Sequence, residues 1–401
     1  MNNFSLDEVD YILTPKAVRS STQKVYELVK DGSGHFSLHE DLLDSCADYV
    51  LTVIKENYPD LKIPFHSRWG HFRVGGIQRD ELLEESLIGS DELEIARTKL
   101  DLVITSVLLD AGAGSKWKYD ESGKTFSRSE GLAVASFHLF MDGAFSEEGI
   151  TVADAVGLKN FTEDQLKQGF QVSDKNPLLG LSGRVELMKK LGETVSSQPK
   201  AFPGGRPGAI VDSLIEKHGK QFEVSDILDF VLRYFGPIWP SRISAHGINL
   251  GDTWHYPPLG PLGGESVVSF HKLSQWLTYS LVDPMLEAGL KIEGAEKLTG
   301  LAEYRNGGLF LDFGVIKLKD EKLLEKAHRP DSELIIEWRA LTVQLLDRIG
   351  NLVQSKLGFS EKEFPLAKVL EGGTWWAGRK IASEKRDGTT PIKIDSDGTV
   401  F

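Results

Sequence analysis

The amino-acid sequence predicts a mainly α-helical fold, a helical bundle with long ordered loops and few short strands. Apolar residues recur at helical spacing in several segments, which indicates amphipathic helices. The alternating pattern that predicts strands is scarce, and only 309–316 and 391–394 are candidates. Long Gly- and Pro-rich loops hold Trp, His and Arg, which predicts ordered, functional loops. These loops are 66–76, 110–123, 201–209 and 251–264.

Each predicted helix has a start or stop signal at its ends. Pro15 suits a first helical turn because it has no backbone N–H to leave unpaired. Ser225 can cap a helix start through its side-chain oxygen, and Gly236 can close that helix. An apolar face from Leu334 to Val353 follows Asp331-Ser332. The predicted helices are 15–32, 96–112, 225–236 and 332–353.

Length and charge restrict the domain organisation and the partners. We predict an N-terminal helical part, 1–200, and a C-terminal helical part, 201–401, that carries most of the site, together forming one compact unit. The 401 residues are 40% hydrophobic and carry a net charge of −13. An acidic surface repels phosphate backbones and anionic lipids, so we expect neither nucleic acid nor membrane partners. A small-molecule substrate is expected, and the oligomeric state stays open.

The cysteine content and the N-terminal segment favour a cytoplasmic location. The lone cysteine, Cys46, lies in a helical pattern and is expected to be a buried thiol. One cysteine cannot form an internal disulfide, which fits a reducing compartment. No apolar segment of signal-peptide or membrane-spanning length stands out. We therefore expect a cytoplasmic protein.

The densest group of reactive side chains is LTGLAEYRNGG (298–308). Glu303, Tyr304, Arg305 and Asn306 are consecutive, and helical steps of 100° cannot turn all four to solvent. A carboxylate held inward beside an arginine can act as a base, a nucleophile or a stabiliser of a cation. The alternative is a helix-end salt bridge between Glu303 and Arg305, with the glycines as a C-terminal cap.

Two neighbouring segments offer further polar groups. In GDTWHYP (251–257), Asp252 can form with Glu303 the two-carboxylate arrangement of glycosyl hydrolysis, and Trp254 is a candidate substrate-binding residue. An Asx-turn at Asp252 with packed aromatic rings is the alternative. His271 and Lys272 begin the helix of FHKLSQW (270–276). Cations there oppose the helix dipole, so contact with an anionic substrate group, or with Glu265, would explain them.

The segment GGTWWAGRK (372–380) joins aromatic and cationic side chains. Trp375 and Trp376 can stack on a planar or urea-like group while Arg379 donates hydrogen bonds to it. The alternative is that both tryptophans are simply part of the core.

Two arginines lie in segments suited to binding an anion. The glycines of PGGRPG (203–208) can form a nest of backbone N–H groups beside Arg206. Arg68 lies in HSRWGHFR (66–73), whose histidines have no carboxylate at metal-ligand spacing. Neither a nucleotide-binding fingerprint nor a zinc motif is found. We therefore expect no cofactor and no metal.

Five strings, distributed over nearly the whole chain, resemble those of the uracil-catabolism or uracil-regulated protein family, known as a domain of unknown function. They are DAGAGSKWKY (110–119), RSEGLAVASF (128–137), FHKLSQWLTYSL (270–281), LTGLAEYRNGGLFLDFGV (298–315) and GGTWWAGRK (372–380). The resemblance implies a role in the uracil-degrading route that passes through a ribosylated, ring-opened intermediate.

A fainter similarity links FHKLSQ and LTGLAEYRNGG to queuosine-salvage nucleosidases, which are helical and resemble DNA glycosylases in fold. Lys272, Tyr304 and Arg305 match those enzymes directly, and Glu303 takes the place of their catalytic Asp. The Pro-Gln that follows the arginine in those enzymes is replaced by Gly307-Gly308 here.

Together the two resemblances imply hydrolysis of a C–N bond at the anomeric carbon of ribosylurea or its 5-phosphate. Glu303 would stabilise the oxocarbenium-like transition state, with Asp252 as second carboxylate or ribose binder. Lys272, Arg206 or Arg68 would hold a phosphate or sugar oxygen, and the two tryptophans would exclude solvent. A pyrimidine-ring amidohydrolase and a metabolite-binding or regulatory partner of a pathway enzyme are the alternatives.

Overall fold

Helices form most of the computed structural model, as the sequence predicts. The structure describes residues 4–110, 112–114, 116–239 and 242–395. In chain order the helices are α1 (Leu6–Ile12), α2 (Pro15–Lys30), α3 (Leu43–Asn57), α4 (Trp69–Phe72), α5 (Arg79–Ser86), α6 (Glu92–Leu108), α7 (Arg128–Met141), α8 (Ala155–Asn160), α9 (Glu163–Gly169), α10 (Leu181–Ser197), α11 (Ile210–His218), α12 (Val224–Tyr234), α13 (Lys272–Glu287), α14 (Tyr304–Phe313), α15 (Glu333–Leu357), α16 (Leu366–Val369) and α17 (Trp375–Arg386).

Strands are short in the described part of the chain and form five separate two-stranded pairs. They are β1 (Phe36–Leu38), β2 (Tyr119–Glu121), β3 (Lys124–Phe126), β4 (Gln221–Glu223), β5 (Ser244–Ala245), β6 (Ile248–Asn249), β7 (Thr253–His255), β8 (Val267–Ser269), β9 (Lys291–Glu293) and β10 (Ile316–Leu318). The pair β4–β9 is parallel. The pairs β1–β10, β2–β3, β5–β6 and β7–β8 are antiparallel.

The chain forms two compact units, each assembled from separate stretches of sequence. The first contains residues 1–66, 241–276 and 294–401, and the second contains residues 67–240 and 277–293. Their limits differ from the predicted halves, and the idea that the second half supplies most of the site stays a prediction.

The helices predicted at 15–32 and 332–353 begin at their predicted start signals, whereas the helix predicted at 96–112 spans Glu92–Leu108. The Thr14 hydroxyl accepts a hydrogen bond from the backbone N–H of Ala17 at the start of α2. Ser332 is the N-cap of α15, and Gly358 ends that helix in the left-handed conformation. In α6, Asp91 accepts hydrogen bonds from two backbone N–H groups of the first turn. Local capping groups therefore determine the starts of α2 and α6.

Two local predictions are wrong in detail. Residues 309–313 were expected to be strand, but they continue α14, and only Ile316–Leu318 pairs as strand β10. The reason is that Gly307 and Gly308 lie inside α14 instead of ending it. The N-cap of α12 is Glu223, not Ser225, whose hydroxyl donates to the Glu223 carboxylate instead.

The core of the first unit forms around α15, which spans 25 residues. Its buried face contacts α2, the β7–β8 pair and the segment before α14. This cluster comprises Val18, Val25, Trp254, Tyr256, Val268, Phe270, Ala302, Ile336, Ala340 and Val343. Over the described residues, no helix has both the length and the apolar character needed to span a membrane. Cys46 in α3 is fully buried as expected, and this burial raises the pKa of its thiol to about 12.

A glycine brings α17 into close contact with α14. A Cβ atom at Gly378 would lie 2.2 Å from the backbone carbonyl oxygen of Arg305. We expect Gly378→Ala to push the helices apart and to lower the free energy of unfolding by about 1–3 kcal/mol. Denaturant unfolding monitored by circular dichroism measures this change.

Gly183 in α10 provides the matched control, because a Cβ atom there would meet nothing within 4 Å. Alanine is the better helix former, so Gly183→Ala should leave the stability unchanged or raise it by up to about 1 kcal/mol. Equal stability of the two variants would contradict the proposed role of Gly378.

Candidate functional site

Glu303 lies at the N-terminus of α14, where it caps the helix. Its carboxylate accepts hydrogen bonds from the backbone N–H groups of Arg305 (2.9 Å) and Asn306 (2.6 Å). The residue is 7% exposed, so the charge is buried at the end of the helix that favours negative charge. The structure therefore departs from the alternative of a Glu303–Arg305 salt bridge, because Glu303 contacts the backbone of Arg305 and not its guanidinium.

The Arg305 side chain is buried against aromatic rings. Its guanidinium carbon lies 4.1 Å from the centre of the Trp375 ring and 5.5 Å from that of Tyr304, and Nε donates to the Tyr304 hydroxyl at 3.2 Å. Among the described residues, no carboxylate comes within 4.0 Å of this guanidinium. A buried cation with remaining N–H donors is suited to an oxygen-rich or anionic ligand.

Trp375 and Trp376 begin α17 directly after an unusual turn. Residues Leu370–Thr374 form a π-helical turn, a feature that is frequent at functional sites. The two indole rings meet edge to face with their centres 4.8 Å apart. The guanidinium carbon of Arg379 lies 5.6 Å and 5.4 Å from the two ring centres. The structure thus brings Arg305, Trp376 and Arg379 together around the Trp375 ring, and Tyr304 joins them through its contact with Arg305.

Three residues that the sequence analysis did not select complete this cluster. His66 Nδ1 lies 2.7 Å from Glu371 Oε2, and the Tyr58 hydroxyl donates to Glu371 Oε1 at 3.2 Å. The imidazole ring centre is 5.8 Å from that of Trp375 and 6.5 Å from that of Trp276. His66 is 6% exposed. The sequence signals were the position of His66 in the loop 66–76, predicted to be functional, and that of Glu371 beside GGTWW.

Asp252 is committed to a buried ion pair. Arg339 donates to both of its carboxylate oxygens, at 2.8 Å and 2.6 Å, and Trp254 Nε1 donates to Oδ1 at 2.7 Å. Burial alone raises the pKa of Asp252, but the charge and hydrogen bonds of Arg339 outweigh it and hold the pKa well below its usual value. This geometry favours a structural role for Asp252. Its role as the second catalytic carboxylate stays a prediction.

His271 and Lys272 also lie at this ion pair. The backbone N–H of Lys272 donates to Asp252 Oδ2 at 3.2 Å. His271 is fully buried with a positive φ of 48°, and its Nε2 lies 2.8 Å from the carbonyl oxygen of Ile12. Burial lowers the pKa of His271, which favours a neutral ring. A direct substrate contact by either side chain stays a prediction.

Trp254 lines a separate hollow in the first unit. The hollow has a volume of about 840 Å³, and its lining includes His255, Arg329 and Glu333. The Arg242 guanidinium lies 4.7 Å from the centre of the Trp254 ring. The indole nitrogen of Trp254 donates a hydrogen bond to Asp252, so this edge of the ring contacts the Asp252–Arg339 ion pair. Substrate binding by Trp254 stays a prediction.

Arg68 and Arg206 belong to the second unit, and each is already paired. Arg68 is fully buried, and its guanidinium donates to Asp110 at 3.0 Å and to the Ser106 hydroxyl at 2.7 Å. Arg206 donates to Asp101 at 2.9 Å and 2.7 Å and also to Glu94. These contacts leave little of either guanidinium for phosphate, and both phosphate-binding roles stay predictions.

The described residues contain no group of three or more His, Cys, Asp or Glu side chains placed to hold a metal ion. The groups described above are the Glu303 carboxylate, the Arg305 guanidinium, the His66–Glu371 pair and the two indoles. Together they can bind a polar ligand, stabilise a positive charge and transfer a proton.

The chain is similar to known proteins over nearly its whole length. The family model described as "Protein of unknown function (DUF1688)" matches residues 11–401. "Uracil catabolism protein 4" of Lachancea kluyveri is 41% identical, with 98% of this chain and 99% of that protein covered. "Protein urg3" of Schizosaccharomyces pombe is 39% identical, with 99% and 100% covered.

Proposed function

Because the chain belongs to the DUF1688 family, which confirms the resemblance that its motifs suggested, we propose that it is an enzyme of uracil catabolism. The proposed reaction is hydrolysis of the C–N bond between ribose and urea in ribosylurea or its 5-phosphate. The name of the Lachancea relative supports the pathway, and the chemistry of the cluster supports the reaction.

The observation that carries this proposal is the buried carboxylate of Glu303 at the start of α14, two residues before Arg305, whose guanidinium stacks on Trp375. Cleavage of a glycosidic C–N bond places positive charge on the ribose ring, which a fixed carboxylate stabilises. Each carboxylate oxygen has two lone pairs, and the helix cap uses one hydrogen bond on each. The remaining lone pairs are available to a sugar or to the attacking water.

The proposed reaction adds one water molecule. The C1′–N bond breaks with its electron pair moving to nitrogen, which takes up a proton and leaves as urea. The water oxygen bonds to C1′ and gives up a proton, so the products are ribose and urea. Arg305 donates hydrogen bonds to the urea carbonyl or to a sugar oxygen. Trp375 and Trp376 shield the charges from solvent, which strengthens their interaction.

The similarity of two segments to queuosine-salvage nucleosidases supports the same chemistry, and we propose that the fold is related to theirs. Tyr304 and Arg305 occupy the positions that follow the acid in those enzymes, and here the Arg305 guanidinium lies over the rings of both Tyr304 and Trp375. Glu303 has one methylene more than the Asp that it replaces. We propose that this extra length lets Glu303 cap α14 while it still presents its outer lone pairs.

The direct test is incubation of the purified chain with ribosylurea and with its 5-phosphate. We expect urea and free ribose, or ribose 5-phosphate, to appear in equal amounts, measured by a urease-coupled assay and by reducing-sugar formation. Ammonia from a pyrimidine ring without sugar release would instead support an amidohydrolase. Binding of either compound without turnover would support a regulatory partner. Either of these two results would refute the proposal.

A further inference from the structure

We infer that His66, held by Glu371, donates the proton that the urea nitrogen takes up as the C–N bond breaks. This inference rests on the proposed function and adds to it the catalytic acid. Urea is a poor leaving group as an anion, so cleavage at neutral pH needs an acid placed at the nitrogen. Histidine is the side chain whose ordinary pKa best suits that task.

The hydrogen bonds of His66 leave one nitrogen available to a substrate. Nδ1 faces Glu371 Oε2 at 2.7 Å, which fixes the ring orientation and makes Nδ1 the protonated nitrogen. Nε2 has no hydrogen-bond partner among the described residues. A histidine with one nitrogen on a carboxylate and the other unoccupied is arranged to gain and lose a proton at the second.

Glu371 is itself oriented from both sides. Tyr58 donates to its other oxygen at 3.2 Å. Burial, together with the negative charge of Glu371, raises the pKa of the Tyr58 hydroxyl, so it remains a proton donor. With both oxygens engaged, the Glu371 carboxylate cannot swing away from His66. Glu371 is therefore a positioning residue.

The π-helical turn brings Glu371 to this place. Its two glycines pack tightly, because a Cβ at Gly372 would lie 2.6 Å from Ile63 Cδ1 and one at Gly373 would lie 2.7 Å from Val50 Cγ1. The turn thus lies directly against α3 and the segment that leads to His66. A π-helical turn is an uncommon geometry, and here it carries the carboxylate of the pair.

The Trp375 ring links the proposed acid to the rest of the site. The His66 ring is tilted by 47° against Trp375, with centres 5.8 Å apart, and Arg305 stacks on the same indole at 4.1 Å. In the proposed complex, a urea group held by Arg305 at the edge of this indole meets the imidazole there. In the proposed step, His66 Nε2–H passes its proton to the leaving nitrogen, which keeps the electron pair of the broken bond. Glu303 accepts the proton of the attacking water, and solvent returns a proton to His66.

Two substrates separate this role from a purely structural one. Ribosylurea needs a proton on its leaving group, whereas 4-nitrophenyl ribofuranoside releases a stable anion and does not. We expect His66→Gln to lower kcat for urea release by about 100-fold and to leave nitrophenolate release almost unchanged. His138→Gln, which breaks another His–Glu pair, with Glu121, is the matched control and should change neither rate.

Further variants test the same step. Free imidazole should restore urea release to His66→Ala, and it should have no effect on the wild type. Glu371→Gln should lower kcat with little change in KM, and Glu371→Asp should recover part of the loss.

The outcomes distinguish failure of the proposed function from failure of the assignment of His66 as the catalytic acid. Equal loss of both activities in His66→Gln, or a His66→Ala variant that imidazole does not rescue, overturns the inference while the proposed function stands. If the wild type does not cleave 4-nitrophenyl ribofuranoside, the two substrates cannot be compared. The imidazole experiment alone then tests the inference. If the wild type releases no urea at all, the proposed function fails and the assignment of His66 fails with it.

Discussion

Replacement of Glu303 by Gln is expected to lower kcat for urea release by about 10³- to 10⁴-fold, at the upper end of the range for one acid–base group. The amide carries no charge, so it cannot stabilise the cationic ribose or accept the proton of water. One of its two polar ends is a donor and would face a backbone N–H at the start of α14. We therefore also expect a loss of stability of about 1 kcal/mol, typical of a damaged N-cap.

The measurement is steady-state urea release, with thermal unfolding recorded for the same samples. Glu303→Asp keeps the charge and the cap, and should retain more activity than the Gln variant. Asp91→Asn alters a carboxylate that caps α6 in the same way and should leave kcat unchanged. Full activity in Glu303→Gln, combined with reduced stability, would show that Glu303 is only a helix cap.

Replacement of Asp252 by Ala is expected to produce the largest loss of stability, about 3–5 kcal/mol of the free energy of unfolding. The variant leaves the guanidinium of Arg339 without its carboxylate, and that residue is 1% exposed. Trp254 Nε1 and the backbone N–H of Lys272 lose their acceptor as well. Urea denaturation monitored by tryptophan fluorescence measures the change.

The matched control is Asp331→Ala, which removes the partner of the exposed Arg329. Surface ion pairs contribute little, so we expect a change of about 0–1 kcal/mol. Should Asp252→Ala unfold like the wild type and yet lose activity, the catalytic role predicted for Asp252 would gain support over the structural one.

The Asp252–Arg339 pair also predicts how stability depends on pH. The pKa of Asp252 is lower in the folded chain than in the unfolded chain, where it is about 3.9. Its contribution is therefore fully present above about pH 4 and is lost as the pH falls towards the folded value. As the pH falls below about 4, the difference in the free energy of unfolding between the wild type and Asp252→Ala should become smaller.

The helices were predictable because their signals are local. Thr14 with Pro15, and Ser332 before an apolar face, act within one or two turns of the chain. The strand predicted at 309–313 failed for a reason that lies elsewhere in the chain. Gly307 looked like a helix end, but a Cβ there would lie 2.8 Å from Trp338 Nε1, so this glycine allows two helices to approach closely.

The site was predictable in part. Residues 303–306 and 375–379 stood out because ionisable and aromatic groups are adjacent in sequence. Of these, Arg305, Trp375 and Arg379 do cluster. His66 and Glu371 did not stand out as a pair, because they are 305 positions apart. Arg68, Arg206 and Asp252 looked available for a ligand, yet each has a partner far away in sequence.

The sequence by itself determined the mainly helical class, the starts of some helices and the family. Those properties follow from short-range periodicity, capping groups and long shared motifs. Only the tertiary structure decided which charges are neutralised by a buried partner and which remain available to a ligand. The physical reason is that the effect of a charge depends on burial and on neighbours within a few ångströms, which chain folding brings together from distant positions.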